Sequence, residues 1–149
     1  MTFPPEPELD DLYRELILDH YRNPRNKGRL EQADVSVEGY NPLCGDEVQL
    51  MLDLDDGVIK DVRFLGRGCS ISQASASMMT TAIKGQKVAK VRHLIEAFRK
   101  MIVDGKGADP ELGDLEALEG ISHMPVRVKC ATLAWNTLRQ ALNGKNEKD

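Results

Sequence analysis

Residues 48–65 constrain the fold more than any other stretch of the chain. Val48, Leu50, Leu52 and Leu54 alternate with Gln49, Met51 and Asp53, the period of two that gives a strand one apolar and one polar face. Asp56-Gly57 follows, and both residues tolerate the positive φ that a tight hairpin turn demands. Residues 58–65 return as a second strand, with Val58, Val62 and Phe64 on one face. Upstream, Ala33, Val35 and Val37 alternate with polar residues and predict a strand ahead of the hairpin. Three antiparallel strands with a single apolar face need a cover. Helices must supply it.

Helical spacing flanks the strands on both sides. Leu9, Leu12, Tyr13, Leu16 and His20 predict a helix from residue 9 to about 21, stopped by Asn23-Pro24 because proline disfavours helical geometry in the residue before it. Arg25, Asn26, Lys27 and Gly28 form a basic turn, read either as a solvated loop or as a partner-docking patch. Residues 70–83 carry Ile71, Ala74, Met78 and Ala82 at helical spacing, among small residues suited to close packing, and Lys84-Gly85-Gln86 ends the pattern. Val88, Val91, Ile95, Phe98 and Ile102 predict an amphipathic helix finished by Asp104-Gly105-Lys106-Gly107. Leucines at 112, 115 and 118 suggest at best a short helix. Pro125 opens the last helix, with Ala131, Trp135, Leu138 and Leu142 as its buried stripe and Gly144 as its C-cap. The predicted class is α+β, one domain over residues 1–149, with residues 1–8 a flexible lead-in and 144–149 a frayed tail.

A chain of 149 residues, 41% hydrophobic, can bury a core without staples, so a metal is expected to serve function rather than folding. The net charge of −4 argues against non-specific nucleic-acid binding. The first eleven residues combine acids and prolines without an apolar run, so no signal peptide is expected, and no later segment reads as a membrane span. Three cysteines without a secretory context are expected to be reduced thiols in the cytoplasm.

Those three cysteines hold most of the chemistry. Asn41-Pro42-Leu43-Cys44-Gly45-Asp46 puts a thiol and a carboxylate on either side of a glycine, between the first two strands. If Gly45 takes a positive φ, Cys44 and Asp46 can face one centre. Cys69 sits at a helix start and Cys130 in the first turns of another, where the helix dipole favours thiolate. All three are expected at element ends rather than in mid-core. Three thiolates and a carboxylate suit a tetrahedral zinc ion, and the harder carboxylate is the more readily exchanged ligand. The other reading of Asp46 is a turn residue capping its own loop. Arg127 and Lys129 flank Cys130 and either stabilise thiolates or form a solvated face. His20 is expected as a satisfied, partly buried side chain, His93 on a polar helix face and His123 in a loop role.

Leu43-Cys44-Gly45-Asp46, Gly68-Cys69-Ser70-Ile71-Ser72 and Val128-Lys129-Cys130-Ala131 resemble the three cysteine motifs of the U-type iron–sulfur cluster assembly proteins. Leu12-Tyr13-Arg14, Asp19-His20-Tyr21 and Asn23-Pro24-Arg25-Asn26 extend the resemblance over nearly the whole chain. Within that superfamily the chain is similar to the SufU type rather than the IscU type. Lys129 precedes the third cysteine where the IscU type has histidine, residues 113–126 resemble the SufU insertion, and no Leu-Pro-Pro-Val-Lys chaperone motif is present around residues 88–91. The resemblance implies an IscU/NifU-like fold, a three-stranded antiparallel sheet packed against helices, and a zinc ion held by Cys44, Asp46, Cys69 and Cys130. It implies a SufS-type cysteine desulfurase as partner and SufBCD-type assembly proteins downstream. The partner's histidine would enter the zinc shell and free Cys44 to accept persulfide sulfur, with Arg127 supporting the exchange. The chain would then be a zinc-dependent sulfurtransferase. The alternative is a scaffold carrying a [2Fe–2S] cluster on the same ligands; a purely structural zinc module is a third reading.

Overall fold

The structure is a computed structural model that describes residues 11–148, with side chains described for residues 13–143. The lead-in over residues 1–8 and the helix start at Leu9 lie outside the described residues, as does the side chain of Leu12. Helix α1 (Asp11–Arg22) is followed by β1 (Val35–Asn41), β2 (Asp46–Asp55) and β3 (Val58–Arg67). Then come α2 (Ser70–Ile83), α3 (Val88–Ile102), a 3₁₀ segment (Pro110–His123) and α4 (Pro125–Lys148). The sheet is antiparallel in the order β1-β2-β3. Its alternation is the one the sequence announces: Val48, Leu50 and Leu52 face the helices and are buried. The Asp56-Gly57 turn takes φ of 53° and 77°, as a primed hairpin turn requires.

Helix α2 is the centre of the core. Buried residues occur all round it, Ser72, Gln73, Ser75, Ser77 and Thr80 together with Ile71, Ala74, Met78 and Met79. Helices α1 and α4, β3 and the 3₁₀ segment pack around it. The buried hydroxyls are satisfied. Ser75 Oγ donates to the Ala131 carbonyl (2.7 Å) and accepts from Trp135 Nε1 (3.2 Å), tying α2 to α4. Ser77 Oγ accepts the backbone N–H of Arg25 and lies 2.8 Å from His20 Nδ1, tying α2 to α1. Trp135 stacks on Phe98 of α3, with ring centroids 4.4 Å apart.

Several sequence expectations need correction. Ile59 rather than Val58 is the inward residue at the start of β3, because a bulge between Asp53 and Leu54 shifts the register and leaves Lys60 as the extra residue. Met51 is buried although it lies on the sheet's outer face, where its sulfur receives the Leu30 N–H at 3.5 Å. Residues 110–123 are short 3₁₀ stretches joined across a kink at Gly113 (φ 57°, ψ −128°) rather than one short helix, and Leu112, Leu115, Leu118 and Ile121 are all buried. Helix α4 does not stop at Gly144 but continues to Lys148. The turn after α1 is more than a solvated loop. The Arg25 guanidinium meets Asp19 at 2.7 Å, Asn26 Nδ2 donates to Thr80 Oγ1, and Phe64 exchanges backbone hydrogen bonds with Asn26 and Gly28.

Candidate metal centre

Three elements converge at one end of the molecule. The β1–β2 connection is a four-residue turn, residues 42–45, closed by the Gly45 N–H on the Asn41 carbonyl (2.9 Å). Gly45 takes φ +70°, the left-handed conformation expected of it. Cys44 thus rides on an exposed turn, while Asp46 is the first residue of β2 and fully buried. Cys69 is the N-cap of α2, its sulfur accepting the Ser72 N–H at 3.5 Å. Cys130 lies in the second turn of α4. It has no exposed surface and belongs to the hydrophobic core, so the expectation that all three thiols stand clear of the core fails for this one.

The Sγ atoms of Cys44 and Cys130 are 3.3 Å apart. With an Asp46 oxygen they form a group whose ligand atoms all lie within 4.8 Å of one another. Two thiolates bound at about 2.3 Å to one tetrahedral zinc stand about 3.8 Å apart, so this separation fits a shared ion with a small relaxation. The sulfur of Cys69 is not part of that tight group, but it stands near enough to the Cys130 thiol to help raise its pKa. Asp46 is held on both sides. Its Oδ1 accepts the backbone N–H of Cys69 (2.9 Å) and its Oδ2 accepts Asn41 Nδ2–H (3.3 Å).

The electrostatics favour a cation. Burial, followed by the hydrogen bond its S–H donates to Cys44 and by the acceptors Cys69 and Asp46 nearby, pushes the Cys130 thiol far above its usual range. Arg127, exposed on α4, lies close to Cys69 and Cys130. Partial burial lowers its guanidinium, but the two cysteines outweigh this and raise it overall. No ion pair reaches the buried carboxylate of Asp46 among the described residues. A buried, unpaired carboxylate costs several kcal/mol, on the order of the penalty for an isolated buried charge, unless a cation compensates. Soft thiolates beside one hard carboxylate are a donor set that zinc accepts.

A match to the family model described as the NifU-like N-terminal domain covers residues 12–149. The chain belongs to that family. The NifU-like chain is 49% identical over 136 residues to the zinc-dependent sulfurtransferase SufU of Bacillus subtilis, covering 90% of this chain and 91% of the relative. It is 44% identical over 131 residues to the iron–sulfur cluster assembly scaffold protein IscU of Thermotoga maritima, covering 88% and 92%. Its fold is similar to a SUF-system assembly protein structure from Fervidobacterium islandicum, with TM-score 0.82, 37% identity and coverage of 86% and 94%. A NifU-like N-terminal structure from Brucella abortus superposes with TM-score 0.86, 25% identity and coverage of 94% and 98%. The three-stranded sheet and its helices are therefore the IscU/NifU-like architecture.

Other expected residues of this NifU-like chain lie elsewhere. His20 is buried on α1 against Ser77, as expected of a satisfied histidine. His123 is exposed and lines a small cavity with Met101, Gly105 and Glu119. Lys129 is exposed. His93 Nε2 lies 3.4 Å from Asp109 and 3.2 Å from Glu111, forming a second group of possible ligands. That group is largely exposed, and Asp109 already caps the 3₁₀ segment through the Glu111 N–H, so it reads as a surface ion pair. Sequence reasoning gave no role to Asn41, whose buried amide reaches the metal-site carboxylate. The only sequence signal was its place before Pro42, the position of a turn-opening side chain. Among the described residues, no helix is long and apolar enough to cross a membrane.

Proposed function

We propose that this chain acts as one domain, a zinc-dependent sulfur acceptor for iron–sulfur cluster biogenesis. It takes persulfide sulfur on Cys44 from a SufS-type cysteine desulfurase and passes it to SufBCD-type assembly proteins. The observation that carries this reading is the position of Cys44: an exposed thiol on a turn, 3.3 Å from a buried thiol and grouped with a buried carboxylate. Cys44, Asp46 and Cys130 would hold the ion with Cys69 as fourth ligand. Zinc, when bound, supplies the positive charge that keeps these thiols deprotonated and shields them from oxidation.

The chain's own residues divide the remaining work. Asp46 and Cys130 are buried and fixed by β2 and α4, so they stay in place. Cys44 alone of the three combines an exposed thiol with a place on a turn. Arg127, close to Cys69 and Cys130, offsets negative charge when Cys44 swings out. In the transfer step the Cys44 thiolate attacks the outer sulfur of the donor's cysteine persulfide. A sulfur–sulfur bond forms at Cys44, that of the donor breaks, and the donor's cysteine leaves as thiolate; no separate oxidant is needed. A concavity of ≈ 700 Å³ on the outer sheet face, lined by Tyr40, Glu47, Gln49, Leu65 and Arg67 among others, has no thiol in its wall. An open site suits a sulfur delivered on a partner protein rather than a small molecule drawn into a pocket.

Metal analysis combined with a desulfurase assay tests the reading. The purified protein should carry zinc without visible absorption bands and stimulate the desulfurase. Cys44→Ala should remain folded yet neither accept persulfide nor stimulate. Full stimulation by Cys44→Ala would overturn the transfer mechanism, and bound iron with visible bands would support the scaffold reading instead.

A further inference from the structure

Asn41 is the last residue of β1 and stands opposite Asp46 in the terminal pair of the β1–β2 ladder. It is 6% exposed, so its amide has no free access to water. Every polar atom of its head is committed. Nδ2 donates to Asp46 Oδ2 at 3.3 Å, and Oδ1 accepts the Leu43 N–H at 3.2 Å. The backbone carbonyl accepts the Gly45 N–H at 2.9 Å. One planar group therefore touches the residue before Cys44 on one side and the metal-site carboxylate on the other, while its backbone holds the residue after Cys44. The amide can sit only this way round, because a carboxylate offers no hydrogen to an amide oxygen and the Leu43 N–H needs an acceptor.

We infer that Asn41 is a positioning residue of the metal centre: its amide fixes the rotation of the Asp46 carboxylate and pins the Cys44-bearing turn to it. The inference rests on the metal centre proposed above. The Cys69 N–H already occupies Oδ1 of the carboxylate. With Asn41 on Oδ2, neither oxygen can rotate away, and the lone pairs left over define the directions open to an ion. Partners of this kind, hydrogen-bonded to a ligand rather than to the ion, typically change metal affinity about 10–100-fold. The same clamp gives the Cys44 turn a fixed anchor to return to. Cys44 can then leave the ligand set without Asp46 following it.

Asn41→Asp separates this role from simple support of the turn. Aspartate has the same size and still accepts the Leu43 N–H, but its ionised form has no hydrogen to donate to Asp46 and sets a like charge beside it. The probe is cobalt(II), whose ligand-field absorption reports the donor set, titrated into the reduced, metal-free full chain against a chromophoric chelator. Circular dichroism of the same samples establishes that the variants are folded. Asn41→Asp is expected to bind cobalt at least about tenfold more weakly than wild type, with shifted ligand-field bands. Asn41→Ala, which loses both contacts, should weaken binding at least as much. Wild-type affinity and bands in a folded Asn41→Ala would overturn the role, since that variant adds no charge of its own. Asp46→Ala run alongside distinguishes the two levels. Wild-type affinity and bands in Asp46→Ala overturn Asp46 as a ligand, and Asn41's role with it, because the three thiols alone still offer cobalt a site. Weakened or shifted cobalt binding in Asp46→Ala with wild-type behaviour in Asn41→Ala overturns Asn41's role alone.

Discussion

A Cβ on Gly68 would land on Oδ1 of Asp46 and 2.7 Å from Ser72 Oγ, and Gly68 holds φ at +152°. Both neighbours are fixed. Asp46 is fully buried and bonded to the Cys69 N–H, while Ser72 Oγ donates to the Cys69 carbonyl. The glycine before the second cysteine is therefore a requirement of space: it lets the chain entering α2 pass against the buried Asp46 carboxylate. Gly68→Ala should displace Asp46 or the α2 N-terminus. The expected cost is about 1–3 kcal/mol of stability in urea denaturation, the range for overpacking, with metal affinity in a chelator competition down at least about tenfold. Wild-type affinity in this variant would mean that the carboxylate has room the geometry denies it.

At the scale of elements, the sequence was legible where one local pattern decided the outcome. The alternation over residues 48–54, the Asp56-Gly57 turn and the bounds of α2 and α3 all needed only neighbouring residues. The candidate site was legible for a different reason: Cys44, Asp46 and Cys130, which the fold brings together, are reactive groups at recognisable places in a turn and a helix start. What escaped depended on distant partners. The bulge that turns Ile59 inward is a property of the β2–β3 pairing, and Met51 is covered by the segment at Leu30, 21 residues upstream. Gly144 was read as a helix end from local chemistry alone, and α4 runs past it. The serines of α2 looked like a small-residue face, whereas they are the buried connectors of three helices. Ser77 shows this best, since it serves both His20 and the Arg25 N–H. Ser77→Ala should leave those two groups unpartnered and lower the unfolding free energy by about 1–3 kcal/mol. Chemical denaturation of wild type and variant measures it; a change within a few tenths of a kcal/mol would mean water replaces the hydroxyl.

Across the whole molecule, the metal end and the α1–α2 contact sit on the same central helix yet titrate for different reasons. The His20 ring is buried, and burial is the main cause lowering its pKa from the usual 6.5; the nearby Arg25 charge lowers it further, while Asp19 and Asp114 oppose both more weakly. Above pH 6.5 the ring is neutral in both folded and unfolded chains, so it adds no pH dependence. As the pH falls below that value the unfolded chain takes up a proton that the folded chain refuses. The unfolded state then binds more protons, and stability falls with pH until the lowered folded pKa is passed. Asp19, whose pKa is lowered chiefly by its hydrogen bond with Arg25, loses its contribution only in the carboxylate range below 3.8, a separate window. His20→Asn keeps a side-chain nitrogen near the place of Nδ1 for Ser77 but carries no titrating group. Urea unfolding of the reduced, metal-free protein at about pH 7.5 and about pH 5 should show wild type losing more stability than His20→Asn over that interval. The metal ligands and the other histidines are common to both proteins and cancel in the difference. Equal losses in the two would show that the ring is charged in the folded state as readily as in the unfolded one, and that the α1–α2 contact tolerates an imidazolium.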